Sequence, residues 1–202
     1  MVPENSPLER AYAAIRAVQQ RFETIVSALR GANIPFAVIG NQATSLWIAT
    51  VDESATRTAR DTELLLDRED CERACCAAKS VGLSVLQDSA KLRLGVEGDP
   101  QRRNLVTVFW ATEKAFETDV IVAPRVDEAI VLNCGRPVLP LEMHIAAQLS
   151  WYRLDDRVDI LDMMRVDLIS EDLPKVLPHP LDVRLRQMFE EYRRDYEPWR
   201  WH

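Results

Sequence analysis

The chain has 202 residues, 47% of them hydrophobic and 28% charged, with a formal net charge of −7 and a pI near 5.1. That length fits one domain, or one domain with a helical appendage, burying roughly 70% of the surface its unfolded chain exposes. The composition excludes wholesale disorder, and the acidic balance argues against a protein that coats nucleic acid through bulk electrostatics. No stretch approaches a membrane span and no apolar segment follows basic residues near the start, so a cytoplasmic location is expected.

Pro7 to Leu29 places Ala11, Ala14, Ile15, Val18, Phe22, Ile25, Val26 and Leu29 on one helical face, with Ser6-Pro7 as cap and first-turn proline and Gly31 as stop. Phe36 to Ile39 is a short strand that stops at Gly40-Asn41, where backbone freedom and a side-chain amide suit a sharp turn. A helix follows over Gln42 to Ala49, so the N–H groups of the turn and of the helix start, with Ser45 one turn on, face one point that suits phosphate. A polar loop from Thr50 to Arg60 leads into Asp61-Thr62-Glu63-Leu64-Leu65-Leu66, a strand with two carboxylates on one face and then a buried apolar run.

Asp67 to Ser80 reads as a helix, Leu83 to Leu86 and Leu92 to Val96 as short strands, and Leu105 to Trp110 as a strong strand rich in β-branched and aromatic residues. Thr118 to Val122 is an edge strand or a loop crossing, and Val126 to Leu132 a short helix or strand. From Pro140 the pattern is helical. Leu141, Ile145, Leu149 and Tyr152 share one face, a second run holds Val158 to Leu168, and Leu181 to Tyr196 forms a last helix. The expected fold is α/β (α+β), a small mixed sheet flanked by helices over residues 1–137, with a helical part over 138–202 packed on it. Cys71, Cys75, Cys76 and Cys134 are too few and too irregular for a disulfide framework and read as thiols of a reducing compartment.

Two carboxylates beside a phosphate-binding turn suit Mg²⁺, which prefers oxygen ligands and is usually held by one or two carboxylates plus substrate phosphates. Gly40-Asn41, Arg57-Thr58-Ala59-Arg60-Asp61 running into Thr62-Glu63, then Leu105 to Lys114 and Leu139 to Met163, resemble in order the nucleotidyltransferase superfamily. The branch they resemble most is the minimal bacterial nucleotidyltransferase-like proteins related to abortive-infection AbiEii-type toxins. The resemblance runs from about Ile34 to about Ile169. It implies that Asp61 and Glu63 bind Mg²⁺ (or Mn²⁺) and are catalytic, and that Gly40, Asn41, Ser45, Arg57, Arg60 and Gln148 contact the nucleotide or its phosphates. An NTP is then the donor, and an antitoxin or other protein is a partner. A third carboxylate expected on a later strand, to position the attacking hydroxyl and complete a two-metal site, falls at Thr107. A lysine expected on the helix from Leu141 falls at Gln148. Neither residue replaces the charge that it stands for, so the implied site is degenerate.

Two functions follow. One is Mg-dependent transfer of a nucleoside monophosphate from an NTP to an unknown acceptor hydroxyl (an RNA end, a protein or a small molecule), in a toxin of a toxin–antitoxin pair. The other is a catalytically impaired fold that senses nucleotide or binds a protein. Read without the resemblance, Asp61 and Glu63 are strand acids that are merely solubilising or are paired to the nearby Arg57 and Arg60. Glu117 and Asp119 lie where a replacement base would have to come from, and read first as surface acids. His144 shares a helix face with Gln148, and reads as a partly buried, backbone-satisfied histidine before it reads as an acid or base. The charged run Arg153 to Asp159 is assigned to helix capping and inter-helix salt bridges.

Overall fold

The computed structural model describes residues 6–59, 61–87, 91–96 and 105–195. Helix α1 (Pro7–Gly31) begins with the expected cap, in which Ser6 Oγ accepts the Glu9 N–H and the Glu9 carboxylate accepts the Ser6 N–H. Only its second half is buried, through Phe22, Ile25, Val26 and Leu29. Strand β1 (Ala37–Ile39) runs directly into α2 (Gly40–Ala49) with no intervening loop. The chain continues through β2 (Thr62–Leu66), α3 (Cys71–Ser80), β3 (Ser84–Gln87), β4 (Leu92–Gly95), β5 (Val106–Trp110), β6 (Ile130–Val131) and β7 (Pro137–Val138). It closes with α4 (Leu141–Trp151), α5 (Leu154–Arg165) and α6 (Leu181–Asp195).

The strands form a single mixed sheet in the order β3-β4-β5-β2-β1-β7-β6. The pairs β2–β5 and β1–β7 are parallel and the other pairs antiparallel. Alternation along the strands divides the sheet into two faces. Val38, Leu64, Leu66, Leu92, Leu94, Val106 and Val108 pack on one face under α1 and α3. The other face carries Ala37, Ile39, Leu65 and Phe109. A separate core joins Ile48 of α2 to α4, α5 and α6 through residues including Ile145, Ile160, Met163, Leu185 and Met188. Each fully buried leucine or isoleucine contributes about 1.5–3 kcal/mol relative to exposure.

The expected mixed sheet and flanking helices are present. Thr118 to Val122 forms no strand: the Val120 and Ile121 N–H groups donate to Ser150 Oγ on α4, which meets their backbone needs without a ladder. Val126 to Leu132 resolves into a 3-10 turn (Val126–Glu128) followed by β6. The helix expected from Asp67 starts at Cys71, after a 3-10 turn at Arg68–Asp70. Among the described residues, no helix is long and apolar enough to cross a membrane.

Candidate active site

Gly40 sits where β1 becomes α2, at φ +65°, and a Cβ there would overlap Glu63 Oε2 on the neighbouring strand. Left-handed backbone and contact with a carboxylate both demand glycine at this point. The first turns of α2 then form one wall of a cavity of about 210 Å³, whose lining includes Asn41, Ser45, Arg57, Asp61, Asp155 and Asp162. Asp61 stands one residue before β2 and is exposed, whereas Glu63 lies within the strand with its side chain 14% exposed. The two carboxylates therefore flank the start of β2 and do not share a regular strand face. Ser45 Oγ donates to the Arg57 carbonyl at 2.8 Å and so ties the loop to α2. Arg60 lies outside the described residues.

Glu63 has a cationic partner that its sequence neighbourhood does not contain. Arg153, at the N-cap of α5, donates to Glu63 Oε1 at 3.3 Å and, through Nε and Nη2, to both oxygens of Asp156 at 2.9 Å. Asp156 also accepts the Arg153 N–H, so it caps the helix as well. Burial raises the Glu63 pKa while Arg153 opposes the shift, and the partners Asp156 and Glu63 outweigh burial to hold Arg153 firmly charged. On the other side of Glu63, register pairs it directly with Thr107 of β5, so the position expected to carry a third carboxylate does lie beside Glu63 and holds a hydroxyl.

A largely buried polar cluster forms part of the cavity wall through Thr44 and Asp159 and continues behind it to His144 and Gln148. Thr44 Oγ1 donates to Asp159 Oδ2 (3.2 Å) and lies 3.0 Å from His144 Nε2, while Gln148 Nε2 donates to both Thr44 Oγ1 and Asp159 Oδ2 at 3.0 Å. Arg57 donates to Asp159 Oδ1 at 2.7 Å and pairs with Asp162. Burial lifts the Asp159 carboxyl to about 7 against the pull of Arg57 and the Thr44 hydrogen bond, and burial lowers the His144 imidazole to about 4, leaving it neutral near pH 7. Gln148 is fully buried and braces α2 from below, where it does not face a phosphate in the cavity. Asp119 is no surface acid: it is 3% exposed and accepts the Phe116 N–H, closing the turn from 116 to 119. Glu117 is exposed.

The run Arg153 to Asp159 does cap α5 as the sequence implies, but the sequence places neither Arg153, Asp156 and Asp159 nor Thr44 at the site. Their one signal is that Asp156, Asp159 and Asp162 recur at i, i+3, i+6 beside the apolar Ile160, Met163 and Met164, so the acids face inward.

Among the described residues, no group of three or more His, Cys, Asp or Glu side chains is placed to hold a metal by itself. Asp61, which lines the cavity, fits an Mg²⁺ that arrives on phosphates and keeps its waters, and Glu63, set behind it outside the lining, would be the second carboxylate.

The architecture is that of the nucleotidyltransferase-like fold. The solution structure of the antibiotic-resistance factor ANT(2'')-Ia superposes with a TM-score of 0.56 at 15% identity, over 88% of this chain and 96% of that one. The crystal structure of ANT(2'')-Ia in complex with adenylyl-2''-tobramycin superposes with a TM-score of 0.51 at 16% identity, over 83% and 95%. The Megavirus polyadenylate synthase gives 0.44 at 11% identity over 89% of this chain and 35% of its own. No family model matches the sequence, and no curated protein matches it.

Proposed function

We propose that the chain transfers a nucleoside monophosphate from an NTP to an acceptor hydroxyl. The observation that carries this reading is the apposition of the Gly40 turn to Glu63, beside a cavity lined by Asp61 and the start of α2. In the transfer the acceptor oxygen bonds to the α-phosphorus, the bond from that phosphorus to the bridging oxygen of the β-phosphate breaks, and pyrophosphate leaves. The acceptor proton passes to solvent or to a base. Asp61 and Glu63 would hold Mg²⁺, which supplies Lewis-acid charge stabilisation to the phosphates. The N–H groups at Gly40 and Asn41 would orient the triphosphate.

A second reading, nucleotide binding without transfer, is favoured by Thr107, which gives the site neither charge nor a base at the position beside Glu63. Calorimetric titration with each NTP, with and without Mg²⁺, alongside a labelled-nucleotide transfer assay, separates the two. Mg-dependent binding with label transfer supports the enzyme, binding alone supports a sensor, and no binding removes both. Asp61→Asn should abolish the Mg-dependent binding while leaving the fold intact, and unchanged affinity would remove Asp61 from the site. The toxin role and an antitoxin partner rest on the resemblance of the motifs. Induced expression should then arrest growth of a host cell in the wild type and not in Asp61→Asn.

A further inference from the structure

We propose that Arg153 is the permanent second cation of this site, so that nucleotide binds here with one divalent ion where a three-carboxylate site would use two. The inference rests on the nucleotide-binding reading above. A two-metal site clamps the reacting phosphoryl group between ions about 3.5–4 Å apart, and both ions need anionic ligands. Here Thr107 provides no carboxylate on one side of Glu63, and on the other side a guanidinium already holds Glu63 Oε1. A second divalent ion would share Asp61 and Glu63 with another cation and meet its repulsion.

Arg153 is also not built to leave. Its Nε and Nη2 are engaged by Asp156, which is 2% exposed and would be stranded as a buried unpaired carboxylate if the guanidinium swung away. The guanidinium carbon lies 5.3 Å from the Trp151 ring centroid and 5.7 Å from that of Phe116, which adds aromatic support. Three of the five N–H groups of an arginine go to Glu63 and Asp156, yet the side chain is still 38% exposed. It is thus placed to meet an anionic ligand arriving at Glu63. A planar, always-charged guanidinium gives a phosphate oxygen the positive charge of an ion without needing a third acid.

The test counts ions. With the full chain, each NTP is titrated in the presence of Mn²⁺, and paramagnetic resonance measures the Mn²⁺ held per bound nucleotide. The wild type should hold one. Arg153→Gln should weaken nucleotide binding about tenfold or more, as loss of a charge-assisted contact predicts, with Arg153→Lys intermediate. Thr107→Asp combined with Arg153→Gln should hold two. Two Mn²⁺ ions in the wild type, or unchanged affinity in a folded Arg153→Gln variant, would overturn the inference and leave the nucleotide-binding reading standing. No nucleotide bound by the wild type would remove both. If Arg153→Gln does not fold, the wild-type count and the Arg153→Lys affinity decide.

Discussion

The sheet face under α1 and α3 and the layer where α2, α4 and α5 meet are built on opposite rules. Under α1 and α3 the inward positions are apolar apart from Thr62 at the start of β2, and Val38, Leu64, Leu66, Leu92 and Val106 are at 0% exposure. Toward α2 and α5 the chain instead buries Thr44, His144, Gln148, Asp156 and Asp159, each in contact with another polar group, while Gln148 Oε1 is left without a partner. A dry face gains stability from area alone and tolerates any shape-matched hydrophobe. A polar layer gains little net stability, since desolvation offsets its hydrogen bonds, but fixes the direction of each group. The molecule places its candidate chemistry on the second kind.

The contrast can be tested, beginning with its largest effect. Leu64→Ala should cost about 2–5 kcal/mol in chemical denaturation, as emptied core sites do. Asp61→Asn, at the exposed position just before the same strand, should leave the denaturation midpoint where it was. A midpoint shift in Asp61→Asn as large as that of Leu64→Ala would erase the distinction between the two regions.

Gly40→Ala comes next, with about 1–3 kcal/mol lost to left-handed backbone strain. The added methyl must also push Glu63 aside, so nucleotide affinity should fall together with stability. An alanine variant with normal stability and binding would show that Gly40 and Glu63 are not in contact.

The Asp159 effect is of a different kind, since it depends on pH. Its folded pKa of about 7 lies above the unfolded value near 3.8. Between these values the folded state holds a proton that the unfolded state does not, so this group's contribution to stability is full below pH 3.8 and is lost as pH rises through 7. Melting temperatures of the wild type should therefore fall relative to Asp159→Asn from mildly acidic to neutral pH. Parallel profiles would mean that Asp159 is ionised throughout. At the bottom of the scale, Arg125→Ala breaks an exposed pair with Asp127 and should leave the melting temperature unmoved.

Much of the dry face is legible in the sequence, because Phe36 to Ile39, Leu64 to Leu66 and Leu105 to Trp110 announce themselves by local apolar runs. The Gly40 turn and the pair Asp61 and Glu63 are legible for the same reason: their spacing is short. The polar layer is harder to read. Arg153 and Glu63 meet across 90 residues, and Thr44 and Asp159 across 115. Nothing in the run from Arg153 to Asp159 distinguishes acids that cap a helix from acids that also reach another layer, and Asp156 does both. Gln148 lies on α4 as its spacing implies, but the expected phosphate contact is not where its side chain goes, because α2 and α5 pack over it and bury it.

The cavity walls come from residues 41–61 and 155–162, and β7 joins the sheet beside β1 through the pair Val38 and Val138. On a ribosome, which delivers the chain from its N-terminus, the turn and its two carboxylates are made roughly a hundred residues before the helix that closes over them. Contacts of such sequence separation form late in folding. The nascent chain thus carries Glu63 before its partner Arg153 has been synthesised, and the cavity is among the last parts of the molecule to exist.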